Sequence, residues 1–219
     1  MPRTVILDVN ETLSDTAPLQ DVLTSLGAPG VSPAAWLAAT LRDGFALSLT
    51  TGARPFAEVA REALAVLLAA EPGLAVPVED GVGRVMAAFA ELPVHADVAD
   101  GIRILAAAGH RVVTLSNGSA GYARALLERA GVADAVDAFL SVEDVDVWKP
   151  HRLAYDHALA STRCRPADAA LVAAHPWDLH GARAAGLATV HVARGSAAWP
   201  SVLAAPDLRV AALTGLVLP

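Results

Sequence analysis

Two hydrophobic periods alternate along this chain. Residues 4–7 (Thr-Val-Ile-Leu) form a short unbroken apolar or β-branched run, the pattern of a strand buried on both faces. From residue 18 the apolar positions recur every three or four residues, which predicts helices over 18–26, 33–49, 55–71 and 79–92. Ser32-Pro33 supplies an N-cap and a first-turn proline, while Gly27, Gly52 and Pro72-Gly73 punctuate the run. After Pro93 the pattern changes. Strands over 111–115, 138–142, 169–174 and 189–192 alternate with helices over 98–108, 121–130 and 178–185, and another helix carries Tyr155 and Leu159. This alternation predicts an α/β fold with a doubly wound parallel sheet. Residues 1–13 and 93–219 are expected to form that core, and 14–92 an all-helical cap domain inserted after strand 1.

Polar residues fall where these strands stop. Asp8 follows the first run, with Asn10 and Thr12 just beyond. Ser116-Asn117-Gly118 ends the second strand, and His175-Pro176-Trp177-Asp178 follows the fourth, with Lys149-Pro150 on a connecting loop. In open α/β sheets ligands bind beyond the carboxyl ends of the strands, so each is a candidate for a cleft. Each also has an ordinary reading: a turn for Asp8 and Ser116-Asn117, a solvated lysine, an N-cap for Asp178. Coincidence is the poorer account of so many at one sheet edge. Arg42 stands in an apolar helical run and reads either as a snorkelling surface residue or as an anion ligand.

Composition narrows the field. The chain has 219 residues, 54% hydrophobic and only 5% aromatic, so its core is built mainly of Ala, Val and Leu. A net charge of −7 with no dense basic cluster argues against a nucleic-acid or anionic-membrane partner. Mean hydropathy is +0.45, yet the longest uncharged run, 22–41, contains Gly27, Pro29, Gly30 and Pro33, which would break a spanning helix. A lone cysteine, Cys164, excludes an internal disulfide framework and fits a reducing compartment, so a cytoplasmic protein is expected. No histidine spacing suggests a metal site, and no metal or cofactor is expected.

Asp8-x-x-x-Thr12, Ser116-Asn117-Gly118, Lys149-Pro150 and the strand ending before Asp178 together resemble the four motifs of the haloacid dehalogenase (HAD) superfamily. Arg42 in LRDGFALSL, the segment FAEVAREAL, LSNGS and WDLHGARAAG are similar to its type II L-2-haloacid dehalogenases. The resemblance implies a HAD-like Rossmannoid core and an Asp8 nucleophile. It implies that Thr12 and Ser116 orient the reacting groups, and that Lys149 offsets charge around Asp8 with Asp178 holding it. Arg42 and Asn117 would face the halide, and Phe56, Tyr155 and Trp177 would line the pocket. It also implies a small 2-halo acid as substrate and a homodimer.

The chemistry at Asn10 bears on the reaction. HAD phosphatases place an acid/base aspartate two residues after the nucleophile; an amide there has no proton to exchange in the working range. A halide leaves as a stable anion and needs none. Other departures from the branch are Glu11 where glycine is usual, Ala173 where serine is usual, and His175 where asparagine is usual. Asn10 and His175 are expected near the reacting centre, with His175 either a base or a structural residue. Same-mechanism opening of a ring such as azetidine-2-carboxylate, a residual phosphatase and a non-catalytic binding module are the competing readings.

Overall fold

The computed structural model describes residues 4–196 and 198–217. Six strands form one sheet: β1 (Thr4–Leu7), β2 (Arg111–Ser116), β3 (Ala138–Ser141), β4 (Ala169–Ala173), β5 (Ala188–Val192) and β6 (Leu208–Val210). All pairings are parallel, in the order β3-β2-β1-β4-β5-β6. The α/β expectation holds, and the order is that of a doubly wound sheet. Successive connections run outward from β1 to one side and then, from β4, to the other, so the switch point lies between β1 and β4. A crevice opens at such a point because neighbouring crossovers leave in opposite directions.

The chain divides into two compact units, Met1–Ser14 with Val94–Pro219, and Asp15–Pro93. In the first, Val5 and Leu7 point to one face of the sheet and cluster with Val112, Val172 and Val190 beneath α5 (Val98–Ala107) and α6 (Ala120–Arg129). Ile6 points the other way and is equally buried. Burial on both faces explains why β1 is an uninterrupted run of apolar or β-branched residues. The remaining helices of this unit are α7 (Arg152–Thr162) and α8 (Pro176–Ala184).

The second unit holds four helices, α1 (Leu19–Ser25), α2 (Pro33–Thr50), α3 (Phe56–Ala69) and α4 (Val78–Ala90). Ser32 caps α2 by accepting from the Ala35 amide at 3.1 Å, as its position before Pro33 predicts. Aromatic rings meet within its core. The Trp36 ring meets Phe89 edge-on at 5.5 Å, Phe56 stacks on Phe89 at 6.0 Å, and Trp36 Nε1 donates to the Ala60 carbonyl at 2.8 Å.

Beside shifts of one or two residues at several element ends, two departures from the sequence expectation have a clear cause. β6 has three residues with exposed Arg209 at its centre, too short and too polar to show a period. It exists because β5 offers it an edge, with Val190, His191 and Val192 opposite Leu208, Arg209 and Val210. Helix α8 starts at Pro176, two residues earlier than expected, with His175 rather than Asp178 at the N-cap position. Pro176 suits the first helical position because its missing amide hydrogen would have no partner there.

Candidate active site

Asp8 follows the last residue of β1, and its backbone amide donates to the Val172 carbonyl of β4 at 3.0 Å, so the carboxylate stands at the switch point. Both carboxylate oxygens are held. Lys149 Nζ donates to Oδ1 at 2.7 Å, Thr12 Oγ1 donates to Oδ2 at 2.6 Å, and His175 Nδ1 lies 3.2 Å from Oδ2. Burial alone would raise the Asp8 pKa, but the charges and hydrogen bonds of Lys149 and His175 overcome it and hold the group well below the usual carboxylate range. The carboxylate is ionised and oriented, as a nucleophile must be.

Lys149 is fully buried and serves two acids, since Nζ also donates to Asp178 Oδ2 at 2.7 Å. Burial alone would lower its pKa, but Asp178 and Asp8 outweigh that and raise it, so it stays charged. Asp178, in the first turn of α8, accepts from Tyr155 Oη at 2.6 Å on its other oxygen. Burial raises the Asp178 pKa and the Asp8 charge adds to this, against the opposing effect of Lys149. Gly181 lets α8 come this close: a Cβ there would stand 2.6 Å from both Tyr155 Oη and Pro150 Cβ.

The supports lie one layer out. Thr12 Oγ1 accepts from the Ala174 amide at 2.9 Å, tying the loop after β1 to the end of β4. Arg194 Nε donates to the Thr12 carbonyl at 3.0 Å, and its Nη1 donates to Asp97 Oδ1 at 2.7 Å. The Asn117 carboxamide accepts from the Lys149 amide at 2.9 Å and donates to the Lys149 carbonyl at 3.4 Å, which fixes the lysine loop from β2. Ser116 is buried at the end of β2, and its Oγ accepts from the Gly118 amide at 2.9 Å.

The α/β unit therefore assembles Asp8, Thr12, Lys149, His175 and Asp178 directly, with Asn117 and Tyr155 engaged on the loop and acid that hold Lys149. Trp177 stacks on His175 at 5.1 Å between ring centres. Asn10 is partly buried, and its Oδ1 is buried with no hydrogen-bond partner among the described residues, an acceptor held beside the nucleophile loop. Arg42 and Phe56 belong to the helical unit. The Arg42 side chain is 73% exposed and pairs with its neighbour Asp43 at 2.7 Å. Phe56 lies in that unit's aromatic core.

Glu11 was missed as a site residue. Its Oε2 lies 2.9 Å from His175 Nε2, opposite the nitrogen that faces Asp8. The signal was present in the sequence, where Glu11 and His175 both depart from the residues usual in the branch. Spacing alone could not pair two positions 164 residues apart.

Comparison with known proteins agrees with this geometry. A family model for haloacid dehalogenase-like hydrolase matches residues 2–186. The chain belongs to the haloacid dehalogenase-like hydrolases. Within that family it is 30% identical over 197 residues to an (S)-2-haloacid dehalogenase of Xanthobacter autotrophicus, covering 89% of this chain and 76% of the relative. It is 32% identical over 111 residues to (S)-2-haloacid dehalogenase 1 of Pseudomonas sp. (strain CBS-3), covering 51% of this chain and 49% of that one. The chain thus spans about half the length of the first curated relatives it matches. Among solved structures, the Xanthobacter autotrophicus L-2-haloacid dehalogenase with chloropropionic acid covalently bound superposes with a TM-score of 0.81 at 25% identity, covering 98% of this chain and 96% of that one.

Proposed function

We propose that this protein is a 2-haloacid dehalogenase. The observation that carries the reading is an ionised, doubly oriented Asp8 followed at the second position by an amide, Asn10, in place of an acid. Such a site can attack a carbon that bears a good leaving group, and it has no acid at that position to protonate an alcohol leaving group. The names of the similar curated proteins support the same substrate class.

In this reading an Asp8 oxygen displaces halide from the α-carbon of a short 2-haloalkanoate, forming an aspartyl ester. Lys149 keeps the attacking carboxylate ionised and Thr12 orients it. Arg42 is the cation for the substrate carboxylate and the departing halide, with Asn117 and Tyr155 positioning Lys149 and Asp178. The helical unit acts as the cap domain that carries Arg42. Water then attacks the Asp8 carbonyl carbon and releases the 2-hydroxy acid. Because only the first step touches the chiral carbon, an (S)-2-haloacid yields the inverted product. A cytoplasmic homodimer belongs to the same reading. Among the described residues no helix is long and apolar enough to cross a membrane.

The test is a pair of assays followed by a labelling experiment. Halide release from 2-chloropropionate should persist in EDTA, p-nitrophenyl phosphate should not turn over with magnesium, and a single turnover in ¹⁸O-water should place label in Asp8. Unlabelled Asp8 after a completed turnover would rule the ester mechanism out.

A further inference from the structure

His175 is pinned at both ring nitrogens, with Nδ1 3.2 Å from Asp8 Oδ2 and Nε2 2.9 Å from Glu11 Oε2. Two carboxylate acceptors on one imidazole call for two N–H donors, so the resting ring is an imidazolium. Burial opposes that charge, but the hydrogen bonds and charges of Asp8 and Glu11 prevail and lift its pKa to about 10. Trp177 stacks on the ring, His191 and Arg194 line a cavity beside it, and Lys149 occupies the other oxygen of Asp8.

Glu11 is held in place for this contact. Its backbone is left-handed at φ 59°, uncommon for glutamate. Its amide donates to Ser14 Oγ at 3.1 Å, and its carbonyl lies 3.2 Å from His95 Nε2. Asp178, the other acid near Asp8, already has donors on both oxygens, Lys149 Nζ and Tyr155 Oη, and is fully buried. Once Asp8 is an ester, Nδ1 of His175 no longer faces a carboxylate, whereas the Asp178 oxygens keep their donors. A cavity of about 200 Å³, lined by Glu11, His175, Pro176, His191, Arg194 and Trp199 among others, gives room for several waters on its flank.

We infer that His175, oriented by Glu11, is the general base that hydrolyses the Asp8 ester, an inference that rests on the dehalogenase reading. While Asp8 is a carboxylate it keeps the proton on His175. Halide departs with the bonding pair as the Asp8 oxygen bonds to the α-carbon, and Asp8 becomes a neutral ester. His175 then loses one of its two counter-charges, and its proton passes to solvent. Water next gives a proton to Nδ1 while its oxygen bonds to Cγ of Asp8. Collapse breaks the bond between Cγ and the alkyl oxygen, and the second proton of the water ends on the hydroxy acid. Ester, water and imidazole have become carboxylate, hydroxy acid and imidazolium, the resting state. Glu11 is a positioning residue that holds Nε2–H throughout.

Rapid-quench single turnovers with 2-chloropropionate, followed by chloride and by the intact mass of the protein, test the inference. His175→Ala should release one chloride per site and retain the ester, with clearance slowed about 100-fold or more. Added imidazole should restore clearance without changing the chloride burst. His175→Gln covers the case in which the alanine variant does not fold. Glu11→Gln should slow clearance less and shift its pH profile downward, with Glu11→Asp recovering part of the loss. Clearance at the native rate in folded His175 variants would overturn the role of His175 alone. Absence of both burst and adduct in the native protein would overturn the dehalogenase reading and this inference with it.

Discussion

Lys149 and Arg42 are the cations that the sequence singled out in the two units, and they are built in opposite ways. Lys149 has a side chain 1% exposed and lies 2.7 Å from each of two buried carboxylates. Arg42 has a side chain 73% exposed and pairs with its sequence neighbour Asp43. A buried charge is held by its counter-charges and cannot leave them without stranding all three groups. An exposed ion pair contributes little to stability, so its cation is available to a ligand at small cost. His175 sides with Lys149: it is largely buried, and its charge exists because Asp8 and Glu11 surround it. Lys149 and His175 are thus committed to the acids that surround them, while Arg42 keeps a cation exposed to solvent.

Removing Lys149 should break the comparison most severely. Lys149→Met leaves Asp178 without a cation and Asp8 with His175 alone, which should cost roughly 3–5 kcal/mol in urea unfolding and abolish halide release. Raised carboxyl pKa values in that variant, read by NMR titration, would show that the lysine had kept Asp8 ionised. Unchanged stability would show that the triad is not an electrostatic unit.

The next effect is pH-dependent. His175 binds its proton more tightly when folded, with a pKa raised to about 10. Its contribution to stability is therefore complete below its unfolded value near 6.5 and is lost as pH rises towards 10. Asp8 has the opposite sense: its pKa is depressed, so its contribution is present above about 4 and is lost in acid. Urea midpoints measured from pH 6.5 to 10 should fall in the native protein and run flatter in His175→Gln. Parallel curves for the two proteins would contradict a buried imidazolium.

Arg42→Ala should have the smallest structural effect. The melting temperature should not move, while kcat/KM for 2-chloropropionate should fall about 10- to 100-fold, the loss of one charged hydrogen bond to substrate. A lowered melting temperature with unchanged kinetics would reverse the contrast and make Arg42 a structural residue.

The architecture was legible because burial writes a period into the chain. β1 is apolar or β-branched throughout since both its faces are covered, and α2 announces itself through Ser32-Pro33. Where burial is partial, the signal fades. β6 carries an exposed arginine at its centre and owes its existence to pairing with β5, a neighbour the local sequence does not record. Helix α8 starts at Pro176 because the proline sets the first helical turn, ahead of the capping chemistry that Asp178 offers.

The site divides along the same line. Residue identity put a carboxylate at the end of β1, and the resemblance to the HAD motifs grouped a lysine and a second acid with it and set an amide where an acid would serve phosphate chemistry. These follow from short motifs and from the chemistry each side chain can perform. Only the tertiary structure decided the partners. It turned Asn117 onto the Lys149 backbone and the Tyr155 hydroxyl onto Asp178, and it closed Glu11, His175 and Asp8 into one chain of hydrogen bonds. Those contacts join residues as far as 167 positions apart, and their strength depends on desolvation and distance, which exist only once the chain has folded.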